Sequence, residues 1–177
     1  MNTLDLPFQG QTIQPKNGED AMTALRNDRG DPFVEGVHND ERVETAWVET
    51  AVKHAQAYSK LLRRCQNRRT MRLTKLDDAI YLSFRKDFPD VSIELLSDDE
   101  IKNETVKPKW REWMMAWKDA FPDNYHFLTL VRLDSHKDYS EENTTVVPRI
   151  QFIAIELARC REGFNDDISF DDSFLEP

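Results

Sequence analysis

The stretch YSEENTTVVPRIQFIAIELARCREG, Tyr139 to Gly163, limits what this chain can become more than any other. Pro148 suits the start of a helix, where its missing N–H is no loss, and Gly163 suits the left-handed position past a helix end. Between them the residues are apolar almost all round, and a helix of that kind belongs inside a domain. Yet Arg149, Glu156 and Arg159 cross it. On a wheel with Ile150 at the origin, Ile153, Ala154, Leu157 and Ala158 share one side. Arg149, Glu156 and Arg159 fall on the other, with Phe152 among them. Glu156 and Arg159 are spaced to pair on the helix surface. Two readings follow. Either an arm or tail of the chain covers Phe152, or this aromatic ringed by charges is a docking anchor, since aromatics and arginine are enriched at interface hot spots.

The rest of the chain has to supply that helix with neighbours. Its 177 residues suffice for one domain and fall short of two. With 39% apolar residues and a mean hydropathy of −0.70, a soluble protein with a modest core is expected. No apolar run is long enough to cross a bilayer. The opening MNTLDLPFQGQTIQPKNGED has neither a basic n-region nor an apolar h-region, so it predicts no secretory signal. A formal charge of −9 favours a soluble monomer and basic partners, and disfavours non-specific nucleic-acid binding. Two cysteines, Cys65 and Cys160, give no disulfide framework and fit reduced thiols in the cytoplasm.

Residues 1–38 hold most of the glycines without a sustained period and read as a flexible or loosely packed arm. A helix capped by Asn39 or Asp40 is expected over about 41–62, with Val43, Ala46, Trp47, Thr50, His54, Ala57, Tyr58 and Leu61 on one face. RRCQNRRTMR, from Arg63 to Arg72, has five arginines and no helical period, and reads as a basic loop. Thr74 and Asp77, then Ser97 and Glu100, have the spacing of capping boxes that open two more helices. VSIELL, between them, reads as extended. Pro108 opens PKWREWMMAWKDAF, whose Trp110, Trp113, Met114, Trp117 and Phe121 form a core-facing stripe. FLTLVRLD is open between a short strand and a helical turn. The acidic, aromatic tail over 166–177 fits either disorder or a groove. The fold class is all-α (mainly α): an orthogonal helical bundle of about five helices over 39–165, with room for one short β-hairpin.

Few constellations suggest chemistry. His54 sits mid-face on the first helix, but HAQAY matches no metal-ligand spacing, so a hydrogen-bonded core histidine is the better reading. Asp90, Glu100 and Lys102 imitate a nuclease-type carboxylate pair with lysine. Glu100 is better explained as the return arm of the Ser97 box. There is no G-x-x-x-x-G-K-[ST], G-x-G-x-x-G or G-x-S-x-G. Five glycines leave little material for a phosphate cradle, so neither catalysis nor a cofactor or metal is expected.

Three blocks together, NDERVETAWVETAVKHAQAY, LTKLDDAIYLSFRKDFPD and LVRLDSHKDYSEENTTVVPRIQFIAIELARCREGFN, resemble the small eukaryotic proteins called polysaccharide biosynthesis domain-containing protein one. The match spans about 39–165 and is strongest over Arg132–Asp134 and Glu141–Asn165. The resemblance implies a mainly helical cytosolic protein that acts as an ATP-independent chaperone. Its implied partner is the GTP-binding domain of newly made translation elongation factor 1-alpha, with GTP belonging to that client. The Arg63–Arg72 segment is more basic than the family's usual connection. Wheel and matching block together nominate Arg132, Asp134, Arg149, Phe152, Glu156 and Arg159 as partner-binding residues. Rival readings are an enzyme of carbohydrate metabolism and an RNA-associated protein using Arg63–Arg72.

Overall fold

A helix of 24 residues, α1 (Glu41–Arg64), opens the computed structural model, which describes residues 41–121 and 127–175. The expected arm over residues 1–38 and the cap at Asn39 or Asp40 lie outside the described residues. After α1 come a 3-10 turn (Arg68–Thr70), α2 (Asp77–Asp87), α3 (Asp98–Lys102), α4 (Lys107–Met115), strands β1 (Leu128–Arg132) and β2 (Thr144–Pro148), then α5 (Arg149–Glu162) and a last 3-10 turn (Asp172–Leu175). The fold is mainly α with one short hairpin. No helix among the described residues is long and apolar enough to cross a membrane.

Local chemistry accounts for most boundaries. Ser97 caps α3 through a complete box: its side chain accepts from the Glu100 N–H, and the Glu100 carboxylate accepts from the Ser97 N–H. Glu100 therefore belongs to a cap, as expected, and Lys102 is hydrogen-bonded to the Thr145 hydroxyl. The Thr74–Asp77 box is half made. Asp77 accepts from the N–H groups of Leu73 and Thr74, while the Thr74 hydroxyl accepts from Leu76 N–H. Gly163 closes α5 at φ 90°, the left-handed conformation that L side chains avoid.

The ambiguous FLTLVRLD resolves as β1, paired antiparallel with β2 so that Leu130 faces Val146. Residues 144–148, expected to lead straight into the helix, form the second strand, and Pro148 both ends β2 and caps α5. VSIELL, expected to be extended, bends at Ile93 and Glu94 and makes a single antiparallel bridge from Leu95 to Asp134 at the far end of the hairpin, where Leu96 N–H donates to Leu133 O and Ser135 N–H to Glu94 O. The Asn143 side chain shapes the connection between the strands, donating to the carbonyls of Asp134 and Asp138 while accepting from Asp134 N–H.

These elements wrap α5 on every side. Every residue from Ile150 to Cys160 is buried. α2 and α4 pack their aromatic stripes together, with Phe88 stacked on Trp110 at 3.9 Å and Trp113 edge-on to both Phe84 and Trp110. The tryptophan helix is thus core-facing, although it ends at Met115, and Trp117 and Phe121 are only partly buried. Over residues 47–64 of α1 the buried positions are Ala51, His54, Ala55, Tyr58, Ser59 and Leu62. That face is turned from the expected one: Ala57 is exposed. The turn comes from Ser59, a polar residue buried because its hydroxyl donates to Asp138 at 2.9 Å.

Candidate functional site

The polar line across α5 does not face solvent. Glu156 and Arg159, one turn apart, are fully buried, as is Arg132 at the end of β1. The Glu156 carboxylate lies between the two guanidiniums: Arg159 Nη1 donates to Oε1 at 2.7 Å and Arg132 Nη2 to Oε2 at 3.0 Å. Tyr58 from α1 donates to Oε2 at 2.9 Å, and Asn165 Nδ2 to the same oxygen at 3.1 Å. Most of the other guanidinium donors go to main chain, while Arg132 Nε is buried without a hydrogen-bond partner among the described residues. Arg159 reaches the carbonyls of Ile93 and Leu133; Arg132 reaches those of Ser135 and Lys137 and the side chain of Asn165.

Burial by itself would push the Glu156 carboxyl up, but the two guanidiniums and their hydrogen bonds hold it down at about 2. It is a carboxylate at every physiological pH. Burial, then the charge of Glu156, pushes the Cys160 thiol up to about 12, so the sulfur stays protonated and unreactive. Neither cysteine is in a disulfide. No cluster of metal-ligating side chains occurs among the described residues. What this arrangement does is mechanical. One carboxylate ties α1, β1, α5 and the turn at Asn165 together, and its two arginines bind the segment at Ile93 and the loop after β1.

Phe152 sits beside this network, edge-on to His54 and to Tyr58 at 5.1 Å each, and is fully buried. His54 is the core histidine expected: its Nδ1 is 2.6 Å from the Thr129 hydroxyl. Burial first, and the charge of Arg149 second, hold its pKa down to about 4, so it is neutral near pH 7.

Of the six residues nominated for partner binding, four are therefore interior: Arg132, Phe152, Glu156 and Arg159. None can meet a docked surface. The wheel misled because it assumes one wet side, and a helix enclosed by other elements has none. Asp134 is half-buried and shapes its own turn, its carboxylate accepting from His136 N–H at 3.0 Å and pairing with Lys137 at 3.1 Å. Arg149 is half-buried at the start of α5, where its N–H donates to Phe127 O. Tyr58 and Asn165 complete the cluster without having been singled out for it. Asn165 left no sequence signal, since it lies past the helix end.

Fold and site together define a small, mainly helical domain clamped about a central helix by a buried arginine–glutamate–arginine network. The family described as PBDC1 protein matches residues 43–170 of this chain. The mouse (Mus musculus) Protein PBDC1 is 39% identical over 160 residues, covering 90% of this chain and 78% of the relative. The human (Homo sapiens) Protein PBDC1 is 44% identical over 132 residues, which are 75% of this chain but 56% of that protein's length. The solution NMR structure of protein yst0336 from Saccharomyces cerevisiae superimposes with a TM-score of 0.65 at 33% identity, covering 73% of this chain and 90% of that one. The chain belongs to the PBDC1 protein family.

Proposed function

We propose that this protein is a non-enzymatic, ATP-independent chaperone that binds the GTP-binding domain of newly made translation elongation factor 1-alpha in the cytoplasm. The family match over residues 43–170 carries the reading, because the resemblance of the same blocks implies that role. The charge of −9 supports it, being suited to a basic client. The protein acts as a monomer without a cofactor, and the GTP is the client's. Release follows when GTP completes the client's fold, since the bound surface then no longer presents itself. The contact surface lies outside the buried network, and Asp134 and Arg149 are the two nominated residues that reach solvent.

Affinity capture from cytosol with the folded full chain as bait, read by mass spectrometry, tests the proposal. Elongation factor 1-alpha should be enriched, and adding GTP should reduce its recovery. No enrichment by a bait whose circular dichroism is native would sink it.

A further inference from the structure

The basic segment Arg63–Arg72, expected as a loop but begun by the last turn of α1, and the acidic tail were read separately from sequence, and the fold brings part of them face to face. Residues 166–175, DDISFDDSFL, run over a groove floored by α1 and by the loop after β1. Ser169 N–H donates to His136 O, and Asp138 N–H to Ser169 O. The Arg63 guanidinium lies over the Phe170 ring at 4.6 Å, and that of Arg68 lies over the same ring at 5.4 Å. One turn on, the Phe174 ring stacks on Tyr139 at 5.3 Å, and its carbonyl accepts from Gln56. Between the two rings, Arg63 reaches the Asp172 carboxylate and the Asp171 carbonyl.

The two sides of this contact are unequal. Asp171, Asp172 and Ser173 are exposed, and Phe170 and Phe174 are only half-buried. The floor, in contrast, is held from beneath. Asp138 is buried and accepts from Ser59, Arg63 and the Tyr139 N–H, three partners outside the tail, and from one tail group, the Asp171 N–H. Tyr139 rests against Arg132 of the buried network at 5.8 Å. A floor whose side chains are held mostly by groups outside the cover is largely preformed, and exposed ion pairs hold the cover weakly. Arg63, paired from beneath with Asp138, and Arg68 set two guanidiniums against one buried carboxylate here, so the groove complements an acid.

We infer that the groove formed by Arg63, Arg68, Gln56 and Tyr139 is a docking site for an acidic segment of a partner protein bearing two phenylalanines four residues apart, and that residues 166–175 are its displaceable internal occupant. The tail is the pattern for the ligand: each ring takes one subsite, and the carboxylate between them takes Arg63. Tethering gives the tail an effective concentration of order millimolar, so a partner enters only when it is dense in such segments or when the tail has lifted. This surface is separate from the client reading above and stands without it.

The test uses the full chain with Phe170→Ala and Phe174→Ala, which unseats the tail without truncation, and a fluorescent DDISFDDSFL peptide as probe. The peptide should bind the variant more than about tenfold tighter than the wild-type chain, with affinity falling as salt rises. A second peptide keeping only the acidic residues and the two phenylalanines should bind comparably, and a scramble that breaks the spacing should not. Equal binding of the scramble reduces the groove to non-specific charge attraction and overturns the inference. Binding of DDISFDDSFL alone makes the groove the tail's private seat and overturns it too. Hydrogen exchange on the wild-type chain covers the case in which the variant fails to fold. The amides of Ser169 and Asp171 should exchange at least about a hundredfold faster than those in the middle of α5. Equal protection would show that the tail opens only with the whole domain, which also overturns the proposal.

Discussion

Glu156 has no shortage of partners, and that is what makes it fragile. Its carboxylate serves two guanidiniums, a phenol and an amide, all out of water. Replacing Glu156 with Gln keeps the shape but leaves two buried cations facing a neutral group. Breaking a buried pair in this way costs about 3–5 kcal/mol. Chemical denaturation should show a loss of that order with an unchanged urea dependence, and a loss below about 1 kcal/mol would mean that water reaches the cluster. Phe152→Ala should likewise destabilise by about 3–5 kcal/mol, because it opens a cavity between His54 and Tyr58. A docking anchor on the surface would have lost binding and kept its melting temperature. At this scale the sequence was legible for His54 and for the Glu156–Arg159 spacing. It was not legible for Arg132 and Asn165, whose contacts with Glu156 span 24 and 9 residues of chain.

Among the elements, α3 and α5 depend most on how their ends are finished. Ser97→Ala removes one half of the box on a helix of only five residues, and should cost about 1 kcal/mol. Amide exchange should quicken at Glu100 and stay unchanged in α5. Gly163 is more demanding. At φ 90° a side chain is strained, and a Cβ there would meet the Arg69 guanidinium, which is itself paired with Asp166. Gly163→Ala should cost about 1–2 kcal/mol, read as a drop in melting temperature, with Arg69→Ala in the same chain recovering part of it. Both ends were visible beforehand, because capping depends on residues within a few positions of each other. β2 was not. TTVVP leads into a proline and a helix, and only its pairing with Leu128–Arg132 makes it a strand.

For the whole molecule, the buried ionisable groups set a direction for acid. His54 is held at about 4 against 6.5, and Glu156 at about 2 against 4.5. In each case the folded value lies below the unfolded one, so the unfolded chain binds protons first and stability falls as pH falls. The His54 contribution is whole above pH 6.5 and is lost between about 6.5 and 4. The Glu156 contribution is lost between about 4.5 and 2, and each is on the order of 3 kcal/mol. His136, raised mainly by its hydrogen bond to Glu94, works in the opposite sense but is exposed and contributes little. Urea melts from pH 7.5 down to 4.5 should show a steady loss of stability. His54→Gln, which keeps a partner for Thr129 without titrating, should flatten that loss. An unaltered slope in the variant would take His54 out of the account.

Short-range chemistry was enough to determine the helix-rich class, the capped starts and the glycine stop, the core-facing tryptophans and the absence of ordinary catalytic motifs. Each rests on period or spacing within a turn or two, which a linear sequence displays. Only the tertiary structure decided that Arg132, Phe152, Glu156 and Arg159 are interior, that TTVVP is a strand, and that Arg63, Arg68 and Arg69 of the basic segment face an acidic tail of the same chain. The reason is enclosure. Whether a charge beside an apolar face is wet or dry depends on the elements that pack over it, and those come from α1 and β1, far from α5 in the sequence.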